Sequence, residues 1–339
     1  MVATESFQPK FDLPLISPNE RLVPDDFEIK VTDEDIGKLF QAGECYPRYP
    51  DPSQLLKWDD AKISEWETAG FPDDWIPTMQ EAQYSFQPNY QKGLELKSSK
   101  PEKFGWVVED DGQKDFKQSQ FESYFEGNYP KTRRGVPIHP DYRLLLKHGV
   151  PAAREWSGFY WGKGAQKAGD PVLLTEFTEQ IDGRSVRKLK WLGIASKALV
   201  ENGNQRVNGL PGGMVEKDDP AVTATIKREV MEEAGVSEDY FKDPEVIAEV
   251  AVMEGRTGLN AWPESTAALV ILPEDEAKKI QLKAGDDASK AHWLDASEEV
   301  FDTLFSPTHA KMVKMGVKRW QEKNPGLVVS KSSEIGKRI

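Results

Sequence analysis

Apolar residues in the second half of the chain gather in short runs rich in Val, Ile, Leu and Ala. Such runs, bounded by polar and turn-forming residues, are typical of strands. We predict strands at residues 171–178, 188–196, 246–254, 265–272 and 291–295. The first two are separated by IDGRS (181–185), where Gly183 favours a tight turn.

Two segments of this half show helical spacing instead. The first helix is predicted from Pro220 to Ala234, and the second covers about 308–322. Strands interleaved with helices predict an α/β (α+β) domain over residues 155–329. The polar residues 330–339 then form a tail.

Residues 1–154 have a different pattern, rich in proline, aspartate and aromatic residues. YPRYPDP (45–51) and FPDDW (71–75) are typical of turns, whereas 53–69 favours a helix and 105–110 a strand. We interpret this half as an irregular accessory or cap domain. Its aromatic side chains are expected mainly to pack a small core of its own.

Composition limits the classes of function. The chain has 339 residues, which favours two domains, and a net charge of −13. An acidic protein is a poor partner for nucleic acid or an anionic membrane surface, so neither is predicted. The single cysteine excludes an intrachain disulfide framework. With no spanning apolar run and no signal-like N-terminus, a cytoplasmic protein is expected, and protein partners are not predicted.

The segment 210–236, LPGGMVEKDDPAVTATIKREVMEEAGV, carries the candidate chemistry. Gly212 and Gly213 allow a tight turn and a close approach of the backbone to a ligand. Asp219 is predicted to cap the following helix, with Pro220 as its first residue. Gly235 is predicted to end the helix. The segment is therefore expected to form a loop, a helix and a second loop.

Three glutamates on this helix, Glu229, Glu232 and Glu233, are spaced i, i+3 and i+4. They fall within an arc of about 100° that overlaps the edge of the apolar stripe. Carboxylates at the boundary of a core repel one another, and a hard cation such as Mg²⁺ resolves that conflict. The alternative is a solvated acidic face. That alternative does not account for the glycines and the arginine in the same register.

This segment resembles the signature of the Nudix hydrolase superfamily, G-x5-E-x7-R-E-U-x-E-E-x-G-U, in which U is a bulky aliphatic residue. The second half matches at every fixed position, namely Arg228, Glu229, Val230, Glu232, Glu233, Gly235 and Val236. The first half is one residue longer, and Pro220 stands where the pattern has its first glutamate. Asp218 or Asp219 could substitute for that glutamate if the loop bulges.

Two further segments narrow the resemblance. NAWPEST (260–266) and LKAGDDASK (282–290) are similar to segments of the ADP-ribose pyrophosphatase family of the animal mitochondrial type. The same module forms the ADP-ribose-sensing domain of a melastatin-type cation channel. The resemblance covers about 155–320 and implies a mixed sheet between helices.

The resemblance also implies the reaction, in which ADP-ribose is hydrolysed to AMP and ribose 5-phosphate. Mg²⁺, or alternatively Mn²⁺, is then held by Glu229 and Glu233 with help from Glu232. Arg228 orients the glutamates, and the backbone of Gly212 and Gly213 approaches the diphosphate. The candidates for the general base are Glu233, Asp286 and Asp287.

The same family resemblance implies the substrate contacts. Asn260 and Glu264 are candidates for binding ribose hydroxyls, while Trp262 is either a substrate contact or a core residue. An aromatic residue is needed to stack on adenine, and the candidates are Trp106, Trp156, Tyr160 and Trp161. Two other functions remain open: an ADP-ribose sensor with little turnover, and hydrolysis of another nucleoside diphosphate derivative.

Overall fold

The computed structural model describes the chain in segments. These are residues 23–40, 57–72, 75, 106–108, 114–116, 129–133, 135–150, 164–201, 203, 206–216, 219–254 and 257–324. Four candidate residues from the sequence lie outside the described residues, namely Asp218, Trp156, Tyr160 and Trp161. The side chain of Trp106 and the tail over 330–339 also lie outside them.

The helices and strands alternate in the second half of the chain, as predicted. The described helices are α1 (Asp33–Phe40), α2 (Asp60–Thr68), α3 (Tyr142–Lys147), α4 (Lys197–Glu201), α5 (Val222–Ala234), α6 (Glu274–Ala277), α7 (Glu298–Phe301) and α8 (Pro307–Lys323). The described strands are β1 (Trp106–Val108), β2 (Lys114–Phe116), β3 (Gly164–Ile181), β4 (Arg184–Ser196), β5 (Asn208–Gly209), β6 (Gly213–Met214), β7 (Glu245–Ala251), β8 (Ala261–Leu272) and β9 (Ala288–Asp295).

Strands β3 to β9 form one mixed sheet within the described part of the chain. The order β5-β4-β3-β8-β7 runs across it, while β6 pairs with β3 and β9 pairs with β4. The β3–β8 pair is parallel, from Gly164 opposite Ala261 to Thr175 opposite Leu272. The other pairs, including the β3–β4 hairpin, are antiparallel. The predicted α/β class with a mixed sheet is therefore confirmed.

The hairpin turn between β3 and β4 has the residues that its geometry requires. Asp182 and Gly183 adopt φ values of 51° and 75°. Two successive residues with positive φ are the requirement of the tight two-residue hairpin, and an Asp-Gly pair meets it at low cost. The predicted turn at Gly183 is confirmed.

Helices cover both faces of this sheet. On β3, Val172 and Leu174 pack in a cluster with Met312, Val313, Val317 and Trp320 of α8. Leu173 points to the opposite face, where it packs in a cluster with Ile226, Val230 and Ala234 of α5. Because successive side chains of a strand point to opposite faces, β3 contributes to two cores. The sheet therefore lies between α5 and α8.

The described N-terminal residues form a third apolar cluster. Trp58, Ile63 and Trp66 pack there with Leu145 and Leu146, and Met253 and Leu259 of the second half complete it. The aromatic residues thus pack a core that is shared with residues of the second half of the chain. The proposed domain boundary near residue 154 falls between α3 and β3.

Two elements have bounds that differ from the predicted ones, and local hydrogen bonds explain each difference. The helix expected over 53–69 begins at Asp60, because the Asp59 carboxylate caps it by accepting a hydrogen bond from Lys62 N. The strand expected over 246–254 ends at Ala251, because Thr257 Oγ1 donates to Val252 O and accepts from Glu254 N to close a turn. None of the described helices is long and apolar enough to cross a membrane.

Candidate active site

Helix α5 brings the three glutamates of the signature to one edge of the sheet. Glu229 and Glu233 are buried, with 7% and 5% of their surface exposed, while Glu232 faces solvent. The helix ends at Gly235, whose φ of 69° is the left-handed conformation that glycine adopts without strain. The predicted end of the helix is therefore confirmed.

The predicted start of this helix is wrong. Asp219 is not the N-cap, and Pro220 is not the first helical residue. The helix begins at Val222, and Ala221 is the N-cap without a side-chain capping bond. The physical reason is that the Asp219 carboxylate has other partners, which hold it away from the first-turn amides.

The Asp219 carboxylate accepts hydrogen bonds from three residues. Arg228 Nη2 donates to Asp219 Oδ2 over 3.0 Å, and Arg228 Nε donates to Oδ1 over 3.4 Å. Thr225 Oγ1 and Glu216 N donate to Oδ2 over 2.8 and 2.9 Å. Burial raises the pKa of Asp219, but these hydrogen bonds outweigh it and hold the pKa below its usual range. Asp219 thus contacts the signature arginine in a chain whose pattern lacks the first glutamate.

Asp219→Ala is expected to lower the free energy of unfolding by about 2 kcal/mol, because Arg228, Thr225 and the Glu216 amide all lose an acceptor. Urea denaturation at neutral pH measures the change. Asp243→Ala, at an exposed position, is the matched control and should change the free energy by less than about 0.5 kcal/mol. Equal effects of the two substitutions would contradict a structural role for Asp219.

Arg228 joins the turn to the helix. Its Nη1 donates to Glu229 Oε1 over 2.6 Å and to Glu232 Oε2 over 3.3 Å. Its Nη2 also donates to Met214 O over 3.1 Å. A planar guanidinium can donate to several acceptors at once, so Arg228 fixes both Glu229 and Met214 of strand β6.

Glu233 is held by the backbone of Gly212, the residue directly before β6. Gly212 N donates to Glu233 Oε2 over 2.9 Å. Burial raises the pKa of Glu233 to about 9; the Gly212 amide opposes this effect, while the charges of Glu229, Asp287 and Asp170 add to it. Burial likewise raises the pKa of Glu229 to about 7, against the influence of Arg228. The carboxylates therefore lie close enough to disfavour one another's charge.

Both glycines of the turn are packed too closely for any side chain. A Cβ atom on Gly213 would lie 2.4 Å from Glu229 Oε1. A Cβ atom on Gly212 would lie 2.1 Å from Asp170 Oδ1 and 2.7 Å from the Gly169 carbonyl oxygen. At Gly212 the Gly169 carbonyl leaves no room for a side chain, whereas a side chain at Gly213 would displace the Glu229 carboxylate.

The downstream loop also reaches the acidic edge. Asp286 has a φ of 44°, and Ala288 N donates to Gly285 O over 2.9 Å to close the turn. Lys197 N donates to Asp287 O over 2.8 Å, and Lys197 Nζ donates to Asp286 O over 3.1 Å. The charge of Asp286 raises the pKa of Glu229, and that of Asp287 raises the pKa of Glu233. The structure thus brings both aspartates near the helix glutamates.

The three candidates near the start of β8 differ in their surroundings. Glu264 forms an ion pair with Lys167, and burial raises the pKa of its carboxyl. Asn260 is 8% exposed, and its Oδ1 has no hydrogen-bond partner among the residues that the structure describes. Trp262 is fully buried, with its ring 5.2 Å from Tyr129 and 5.1 Å from His139. Its packing matches the core alternative rather than a substrate contact.

The carboxylates at this site offer oxygen ligands for a divalent cation. In the described part of the chain, no three histidine, cysteine, aspartate or glutamate side chains converge as a ready-made metal site. Glu229 and Glu233 instead accept protein hydrogen bonds, from Arg228 and Gly212. Several anionic oxygens at one partly buried edge are nevertheless the ligand type that Mg²⁺ and Mn²⁺ prefer. The residues present fit a hard cation once these carboxylates exchange their partners.

Comparison with known families agrees with this geometry. The family model of the NUDIX domain matches residues 196–315, which include the turn, α5 and the downstream loop. Over these residues the chain is therefore similar to a NUDIX domain. No match was found among curated proteins.

Solved structures similar to this chain include two of NrtR from Shewanella oneidensis. The NUDIX domain of NrtR in complex with ADP ribose is 18% identical to this chain, with a TM-score of 0.34. The match covers 47% of this chain and 90% of the NrtR domain. NrtR with a 27mer DNA is 19% identical, covers 48% of this chain and 68% of its own, and has a TM-score of 0.31. The absence of a nucleic-acid partner therefore remains a prediction for this chain.

A third similar structure is a bifunctional NMN adenylyltransferase/ADP ribose pyrophosphatase from Francisella tularensis, in complex with AMP and a Mn ion. It is 17% identical, with a TM-score of 0.32, and the match covers 49% of this chain. The match spans only 43% of that protein.

Several residues that surround Gly212 were not assigned to the site from the sequence. Asp170, Ser265 and His309 form a buried polar cluster behind Gly212, and Lys197 holds the downstream loop. The one available signal was Asp170 itself, a charged residue directly before the apolar run that was predicted as a strand. Ser265 and His309 lie far from it in sequence, so no spacing rule would group them.

Proposed function

We propose that this protein hydrolyses the diphosphate of ADP-ribose to give AMP and ribose 5-phosphate. The single observation that supports this proposal best is the convergence of Glu229 and Glu233 on the Gly212–Gly213 turn of a NUDIX domain. The NAWPEST and AGDDA segments, similar to those of ADP-ribose pyrophosphatases, supply the argument for the substrate.

Each site residue has a proposed task. Glu229 and Glu233, with Glu232 in support, would hold Mg²⁺ or Mn²⁺, which when bound neutralises phosphate charge and lowers the pKa of a water molecule. Arg228 holds Glu229 in place and is itself fixed by Asp219. The backbone at Gly212 and Gly213 is proposed to approach the diphosphate, because neither residue has a side chain of its own.

Water attack on phosphorus requires a proton acceptor. Glu233 is one candidate for this base, and Asp286 or Asp287 is the other, since both aspartates lie within electrostatic reach of the helix glutamates. Asn260 and Glu264 are proposed to bind ribose hydroxyls. Trp262 has no proposed role in binding, because its side chain is enclosed in the core.

The Asp219–Arg228 contact bears on the choice between enzyme and sensor. A chain that lacked both the first glutamate and a substitute for it would leave Arg228 without a carboxylate partner from the loop before the helix. Asp219 instead accepts two hydrogen bonds from Arg228. This supports a working hydrolase over an ADP-ribose sensor with little turnover.

Substrate selectivity tests the proposal. With Mg²⁺ present, kcat/KM for ADP-ribose is expected to exceed that for ATP and for NAD by at least about a hundredfold, because a site that binds the terminal ribose loses those hydrogen bonds with ATP. Steady-state kinetics on the three compounds measures this ratio. Comparable values for ATP would refute the substrate, and tight ADP-ribose binding without product would indicate the sensor.

A further inference from the structure

Asp170 is a buried acid on β3 whose partners come from two other elements. Its side chain is enclosed, with 4% of the residue exposed. Ser265 Oγ of β8 donates to Asp170 Oδ2, and His309 Nε2 of α8 lies 3.7 Å from the same oxygen. A buried carboxylate is costly unless it is hydrogen-bonded, so these contacts fix its position and orientation.

The other carboxylate oxygen of Asp170 lies against the Gly-Gly turn. Asp170 Oδ1 would be only 2.1 Å from a Cβ atom on Gly212, and the Gly169 carbonyl oxygen would be 2.7 Å from it. The Cα atom of Gly212 is therefore packed directly on Asp170. Gly212 cannot move toward Asp170 while this side chain is in place.

On its other side, Gly212 holds a glutamate of the candidate site. Gly212 N donates to Glu233 Oε2 over 2.9 Å. The contacts thus run from Ser265 and His309 to Asp170, from Asp170 to Gly212, and from Gly212 to Glu233. Groups that hydrogen-bond to a metal-binding side chain and orient it commonly affect metal affinity or activity.

We propose that Asp170 is a positioning residue, which fixes the Gly212 amide and thereby the carboxylate of Glu233. It acts by shape and hydrogen bonding, and it does not touch the substrate. The importance of Glu233 rests on the proposed function, but the positioning of the Gly212 amide does not.

The test compares Asp170→Ala with Val172→Ala. Val172 is on the same strand, is fully buried and faces α8, but it belongs to the apolar cluster rather than to the polar one. The first readout is the exchange rate of the Gly212 amide with solvent, measured by NMR in the absence of metal. Asp170→Ala should increase this rate about tenfold over that of the wild type. Val172→Ala should change it by less than about twofold, when the two variants are compared under conditions that give them the same global stability.

The second readout is Mn²⁺ affinity, measured by calorimetry, together with kinetics on ADP-ribose. Asp170→Ala should weaken Mn²⁺ binding by roughly tenfold and lower kcat similarly, while KM for ADP-ribose stays within about threefold. Asp170→Asn keeps the volume and an acceptor for Ser265, so it should restore most of the Mn²⁺ affinity. A purely structural role would lower the melting temperature without this pattern.

The outcomes separate the inference from the proposed function. Unchanged Gly212 exchange and unchanged Mn²⁺ affinity in folded Asp170→Ala would overturn the inference, even if ADP-ribose is hydrolysed. Faster Gly212 exchange in a protein that does not hydrolyse ADP-ribose would support the inference and refute the function. If Asp170→Ala does not fold, Ser265→Ala replaces it, with an expected increase in exchange of about threefold and no increase as the contrary result.

Discussion

Glu233→Gln is expected to abolish turnover almost completely, lowering kcat for ADP-ribose by at least about a hundredfold. The substitution removes one anionic ligand of the proposed cation and one candidate base, while the amide keeps the shape of the carboxyl group. Because burial already raises the pKa of Glu233 to about 9, the neutral side chain suits its surroundings. The melting temperature without metal should therefore not fall.

The comparison variants for this experiment lie on and near the same helix. Glu229→Gln should lose activity to a similar degree, since Glu229 is the other buried carboxylate at the turn. Glu238→Gln alters an exposed carboxylate beyond the end of α5 and should retain wild-type kinetics. Near-normal hydrolysis by both Glu233→Gln and Glu229→Gln would reject the assignment of these residues.

Arg228→Ala is expected to produce the largest loss of stability, about 3 kcal/mol in the free energy of unfolding. Its guanidinium is mostly buried, with 21% of the side chain exposed, and it pairs with Asp219, Glu229 and Glu232. Removing the cation leaves the buried carboxylates of Asp219 and Glu229 without their positive partner. Urea denaturation of the metal-free protein measures the effect.

Two further variants sharpen this prediction. Lys227→Ala removes the neighbouring positive charge of the helix and should change the free energy of unfolding by less than about 0.5 kcal/mol. Arg228→Lys keeps the charge but lacks the planar fork, so it should recover only part of the loss. A stability of Arg228→Ala equal to that of Lys227→Ala would contradict the structural account of this network.

The fold was largely predictable because its strands carry apolar runs that must be buried. The element boundaries were less predictable, because they depend on contacts made in three dimensions. Asp219 and Pro220 have the residue types of a helix start, yet the helix begins at Val222, and Arg228, nearly two turns into it, binds the Asp219 carboxylate. Tertiary contacts of this kind override local preferences.

The candidate site was predictable only where its residues are close in sequence. The i, i+3, i+4 spacing placed Glu229, Glu232 and Glu233 on one face of the helix. The backbone of Gly212 and Gly213 was expected to approach a ligand closely. The burial of Trp262 against Tyr129 and His139 was not predictable from its own segment, since its partners precede it by more than a hundred residues. Asp170 was not assigned to the site, because its partners Ser265 and His309 are distant from it in sequence.

Product analysis tests the central proposal most directly. The wild-type protein is incubated with ADP-ribose and Mg²⁺, and the phosphorus-containing products are separated and identified by ³¹P NMR. The proposed function predicts AMP and ribose 5-phosphate in equal amounts, and neither product with Glu233→Gln under the same conditions. Unchanged ADP-ribose in the wild-type reaction, or equal product formation by Glu233→Gln, would contradict it.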